Sequence, residues 1–186
     1  MNITDFFKNA LESINSDSRF AETKNAFLVT FNSAMLGLIV ALFNGDNSLS
    51  CYSVTMAIIF SAIVLLATIC SLLSFFPLNP LRKIYNKKKI KKNDKTNLDD
   101  NPKFMFYEYI SSNYDCSDGE SYKKLGDKIA RSINMTYECN GIDIQYLKQM
   151  IDLSCVAAFK FAIFRVSLCI EFVSIVFFVL FFVSII

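Results

Sequence analysis

Residues 71–92 read SLLSFFPLNPLRKIYNKKKIKK. An apolar run stops at Pro77 and passes almost directly into a basic block: Arg82, Lys83, Lys87, Lys88, Lys89, Lys91, Lys92 and Lys95. A soluble core helix rarely ends against so dense a positive charge, whereas a membrane span on its cytoplasmic side often does. The apolar run extends upstream to residue 54, and spanning a bilayer needs about 17–25 residues at 1.5 Å each. Residues 54–76 therefore predict a transmembrane helix that leaves the membrane at the proline.

Two further segments qualify. Residues 26–43, AFLVTFNSAMLGLIVALF, are apolar except near Asn32 and Ser33, and need an upstream extension or a partner helix to hold them. Residues 166–186, VSLCIEFVSIVFFVLFFVSII, form a third span. Composition agrees: 53% of residues are hydrophobic, above the soluble average, and the mean hydropathy is +0.37. The predicted class is all-α, with three transmembrane helices and a helical cytoplasmic region between spans 2 and 3.

Basic residues set the orientation. The link 44–53 carries no Lys or Arg, whereas the segment after Pro77 is dense in both. The positive-inside rule places the lysine-rich side in the cytoplasm, and with it the amino terminus and residues 77–165. The lysines also fit a compositionally biased genome, and a further role in binding anionic headgroups is the less favoured reading.

Residues 1–25 lack the apolar stretch of a signal peptide. Ile3, Phe6, Phe7, Ala10, Leu11 and Ile14 follow an i, i+3, i+4, i+7 pattern, one face of an amphipathic helix. That face can lie on the membrane or on the middle region. Its opposite side carries Asp5, Lys8 and Glu12 rather than a lysine cluster, which favours the middle region. Residues 92–103 read as a loop, followed by an aromatic patch at Phe104, Phe106, Tyr107 and Tyr109. A helix is expected from Glu120, with Tyr122, Leu125, Ile129, Ile133 and Thr136 on one side. Beyond Asn140-Gly141, a second is expected to run from Ile142 into the third span. The domain organisation is thus 1–25, a transmembrane hairpin at 26–76 (spans 26–43 and 54–76), a cytoplasmic sensing region at 77–165, and the last span at 166–186.

No histidine is present, which removes the commonest general base and the commonest zinc ligand. The cysteines (Cys51, Cys70, Cys116, Cys139, Cys155, Cys169) form no close pair and read as small hydrophobes rather than a disulfide framework or metal site. No catalytic residue, metal or cofactor is expected, and the chain reads as a non-enzyme with no nucleic-acid partner.

The order of these features resembles the transmembrane effectors of Pycsar, a bacterial anti-phage system. The resemblance rests on AETKNAFLVTFNSAMLG (21–37), SLLSFFP (71–77), NPKFMFYEYI (101–110) and YKKLGDKIARSINMTY (122–137), and covers most of residues 20–186. The lysine-rich link 82–95 departs from it. The resemblance implies that cyclic UMP or cyclic CMP, made by a uridylate or cytidylate cyclase, activates the protein to impair the inner membrane and cause abortive infection. It implies a multi-pass inner-membrane protein; a three-span subunit is too thin to enclose a wide pore, so a homo-oligomer in the bilayer is expected. The middle region lacks the strands and glycine-rich phosphate cassette of the usual cyclic-nucleotide-binding barrel.

A cyclic nucleotide carries one phosphate charge, which calls for Arg, Lys or a helix amino end. Lys24, Lys123, Lys124, Lys128 and Arg131 are the basic candidates, each weighed against a merely solvated helix face. Arg131 leads, because guanidinium holds phosphate through two parallel bonds. Phe106 or Tyr107 would stack on the base, and Asn101 would pair with its edge. In the membrane half, Ser167, Glu171 and Ser174 form a polar stripe on the third span, Ser61, Thr68 and Ser71 one on the second, and Asn25 and Asn32 one on the first. Such stripes usually face other helices; the sharper reading has Glu171 lining a water path when subunits assemble. An alternative function is a constitutive membrane scaffold or small channel whose cytoplasmic domain docks a protein partner.

Overall fold

A computed structural model describes residues 3–45, 50–76, 85, 107–115, 120–134 and 141–183. Every element among them is helical, as the sequence predicts. Helix α1 spans Ile3–Gly45, α2 spans Cys51–Leu72 and continues as a 3₁₀ turn, Leu73–Phe75. Helices α3 (Tyr107–Asn113), α4 (Ser121–Ser132) and α5 (Gly141–Val183) follow among the described residues. Three of these helices, α1, α2 and α5, are long and apolar enough to cross a membrane.

The amphipathic stripe and the first span belong to one helix. Along α1 the buried positions Phe7, Ala10, Ile14, Ser18, Ala21, Asn25, Leu28, Asn32 and Ile39 recur at spacings of three and four, or their sum. That is the seam of a helix packed lengthwise on partners. Helix α2 shows the same rule without a break, through Ser53, Ala57, Phe60, Val64, Ala67, Ser71 and on to Ser74. Ser50 caps its start, its Oγ accepting from the Ser53 amide at 3.2 Å. The helix that carries residues 54–72 thus starts at Cys51, where a capping serine sets its first turn.

The described residues cluster into two compact units, one within Met1–Ala21 and Leu78–Phe161, the other within Glu22–Pro77 and Ala162–Ile186. Helices α1 and α5 supply residues to both. The first unit has a core of Phe7 and Ile14 from α1, Ile110 from α3, Leu125 and Ile129 from α4, and Leu147 and Met150 from α5. Each such side chain stabilises the fold by about 1.5–3 kcal/mol when fully buried. The amino-terminal stripe thus packs on the middle helices. Within this unit Thr4 donates to Asp143 Oδ1 at 3.0 Å and Lys160 to Ser18 Oγ at 3.1 Å, so α1 and α5 run parallel.

Helix α4 is shorter than its periodicity predicts. It ends at Ser132, and Asn134 adopts a left-handed conformation with φ 53°, a position that Asn tolerates better than most residues. The Asn134 amide donates back to the Arg131 carbonyl at 3.3 Å, closing the last turn.

The second unit is a three-helix bundle. The Phe60 and Phe178 rings lie 5.3 Å apart, centroid to centroid, within an apolar cluster that includes Ile39, Val64 and Phe181. These pairings, with those of Asn32 below, make α1 and α5 parallel and α2 antiparallel to both. Its outer surface is apolar: Ile58 is 63% exposed, Phe172 63% and Val176 58%, while Glu171 is 3% exposed. A bundle that turns its carboxylate inward and apolar side chains such as Ile58, Phe172 and Val176 outward is built for lipid, not water.

Candidate functional site: a polar seam inside the spanning bundle

Glu171 is the only charged residue of segment 166–186. It lies six residues beyond the exposed Arg165, about 9 Å along the helix axis. A carboxylate at such a depth is tolerated when partners on neighbouring helices meet it. The partner here is Asn32 of α1. An amide oxygen turned towards Glu171 would set acceptor against acceptor, so the nitrogen faces it and donates to Oε2 at 2.6 Å. The amide oxygen then accepts from Thr68 of α2 at 3.2 Å. Thr68 also donates to its own Val64 carbonyl at 2.8 Å, so one proton is shared. Ser174 donates to Glu171 Oε1 at 3.1 Å. One hydrogen-bonded network thereby joins all three helices of the unit.

On the Arg165 side of this layer the seam stays polar. Ser167 lies one turn before Glu171, and Ser71 and Ser74 lie one and two turns beyond Thr68 on the antiparallel α2. All three are buried, and their hydroxyls have no partner among the described residues. Elsewhere on these helices hydroxyls bond their own backbone: Thr30 to Ala26 at 3.1 Å, Ser33 to Val29 at 2.8 Å and Thr55 to Cys51 at 2.9 Å. Ser71, Ser74 and Ser167 forgo that bond, at a cost of about 1–3 kcal/mol for each buried hydroxyl left unmet. On the other side of Glu171 the seam turns apolar, through Val64, Phe60, Phe178 and Phe181.

The predicted nucleotide contacts that are described belong to two different units. In the first unit, Lys128 and Arg131 lie one turn apart on α4. Arg131 is exposed, and the Lys128 ammonium sits 5.5 Å over the Tyr109 ring. Tyr107 is stacked on Phe161, with centroids 5.0 Å apart and planes 13° from parallel. The Tyr114 hydroxyl beside Tyr109 is pushed well above the ordinary phenol range by burial and by that neighbour. Lys24 belongs to the other unit, its ammonium 5.3 Å over the Phe164 ring. Asn101 and Phe106 lie outside the described residues, as does the lysine-rich link 82–95 apart from Tyr85.

A family profile, described as PycTM, the Pycsar effector protein domain, matches residues 6–185. The chain belongs to this family. No curated protein and no solved structure gives a significant match. Membership and the three apolar helices make this Pycsar effector a multi-pass membrane protein of antiviral defence.

Two features of the effector's seam differ from the expected stripes or go beyond them. The expected stripes named Ser61, Thr68 and Ser71 together, but Ser71 is fully buried and Ser61 only half-buried, while Ser53 and Ser74 share the buried face. The three-four spacing from Ser53 to Ser74 carries that information. Nothing in the sequence, by contrast, pairs Asn32 with Glu171 across a separation that only the packed bundle closes.

Proposed function

We propose that this effector is activated by a cyclic pyrimidine mononucleotide, cyclic UMP or cyclic CMP, and then impairs the bacterial inner membrane so that infection aborts. The observation that carries the reading is the family match over residues 6–185, which takes in all three spans and the helical unit between them. The amino terminus and residues 77–165 face the cytoplasm, where a cyclase would release the nucleotide, on the strength of the lysines after Pro77. In the first unit, Arg131 and Lys128 offer charge to the phosphate, and Tyr107 offers a ring face to the base. Helices α1 and α5 supply both units, so a nucleotide that binds one position of either helix better than another shifts the spans with it. Several copies act together, because three helices leave no room for a wide pore.

The test is cyclic UMP or cyclic CMP supplied to bacteria expressing the protein, with a potential-sensitive dye as readout. Depolarisation by one nucleotide and not by cyclic AMP is expected, together with calorimetric binding that Arg131→Ala weakens. If neither nucleotide binds or alters the potential, the assignment is refuted.

A further inference from the structure

We propose that the second unit encloses a water file that enters from the Arg165 end of the bundle and stops at Glu171, and that Glu171 is a proton-exchanging carboxyl at its inner end. The ligand class is the proton, delivered through water. Two independent observations meet here. Glu171 is buried and held by donors from α1 and α5, in helices whose outer faces are apolar. Ser71, Ser74 and Ser167, all on one side of it, point buried hydroxyls into the seam without taking the backbone bond that their neighbours take. Buried hydroxyls in a polar seam are where ordered water resides, and no lipid can supply such partners. Facing Glu171, residues 25–45 of α1 and all of α2 carry no Asp, Glu, Lys or Arg, so no second charge competes for the proton.

The exchange balances simply. A hydronium ion at the end of the file gives its proton to the Glu171 carboxylate, leaving water and a neutral carboxyl, and the reverse step returns it. Beyond Glu171 the Phe60–Phe178 contact closes the route, since neither ring offers a proton acceptor. A half-path that dead-ends at an apolar plug conducts nothing at rest. Parting the plug would join it to the other face and let protons through a bundle too narrow for larger solutes. This deepens the proposed function by naming what leaks, but its test needs no nucleotide, so the two readings fail separately.

The full-length protein is reconstituted in liposomes holding a pH-sensitive dye, with a potassium gradient and valinomycin setting the potential. Phe60→Ala and Phe178→Ala, measured separately, are each expected to admit protons without any nucleotide. Adding Glu171→Gln, which keeps the size and the hydrogen bond to Asn32, is expected to slow that proton entry by roughly tenfold or more. Helicity and melting, followed by circular dichroism, confirm that each variant is folded. The proposal is overturned if both folded plug variants stay proton-tight, if Glu171→Gln leaves their leak unchanged, or if they pass an encapsulated anionic dye as fast as protons.

Discussion

At Asn32 one amide holds two other helices, donating to Glu171 and accepting from Thr68. The two contacts differ in weight. Hydrogen bonds between spans average about 0.6 kcal/mol, because helices separated within a bilayer find other partners. Thr68 also keeps its bond to Val64, so Thr68→Val is expected to cost less than about 1 kcal/mol. Asn32→Leu instead removes the only donor that another helix gives the buried Glu171 carboxylate among the described residues, leaving it Ser174. It is expected to cost about 2 kcal/mol or more. Unfolding titrations with a denaturing detergent in mixed micelles measure both; equal losses would show that Glu171 does not depend on Asn32. The sequence marked Asn32 and Glu171 as polar anomalies on separate spans. It did not pair them, because side-chain pairing across helices depends on rotation and stagger, which composition leaves open.

Helix α1 shows how far periodicity reaches. The apolar stripe from Ile3 to Ile14 and the span 26–43 were both legible, and an upstream extension of the span was one reading. A single helix through both was not, since the stretch from Asp17 to Lys24 between them is largely polar and charged. The buried spacing passes through that stretch on small residues, Ser18 and Ala21, which hydropathy barely registers. Asp17 sits half-buried beside this seam, and loss of hydration holds its carboxyl above the ordinary range. A raised folded-state value means that the native protein favours the protonated form, so stability falls as pH rises through that value and stays lower above it. Asp17→Asn is expected to raise the melting temperature modestly at neutral pH, with the gain vanishing in acid where both states bind the proton. A gain that persists in acid would point to a cause other than the charge. At the end of α4 the opposite holds: the apolar spacing continues to Ile133 and Thr136, but the helix ends at Ser132 and Asn134 turns the chain through a left-handed residue.

For the whole molecule, the three spans and the helical class follow from hydropathy and helical spacing alone, and membership of the Pycsar effector family follows from the pattern of the whole chain. The sequence singles out no set of ligand contacts. Basic residues on helix faces look alike in sequence, and the candidates fall in different units or already rest on aromatic rings, as Lys24 and Lys128 do. The central claim joins a pyrimidine nucleotide to membrane failure in one polypeptide. Its most direct test is the purified protein in liposomes carrying an imposed potassium diffusion potential, with cyclic UMP and cyclic CMP added in turn to the face bearing residues 77–165. Rapid loss of the potential with one of the two, and none with cyclic AMP or with protein-free vesicles, is the predicted result. A potential that holds against both nucleotides at saturating concentration would contradict it.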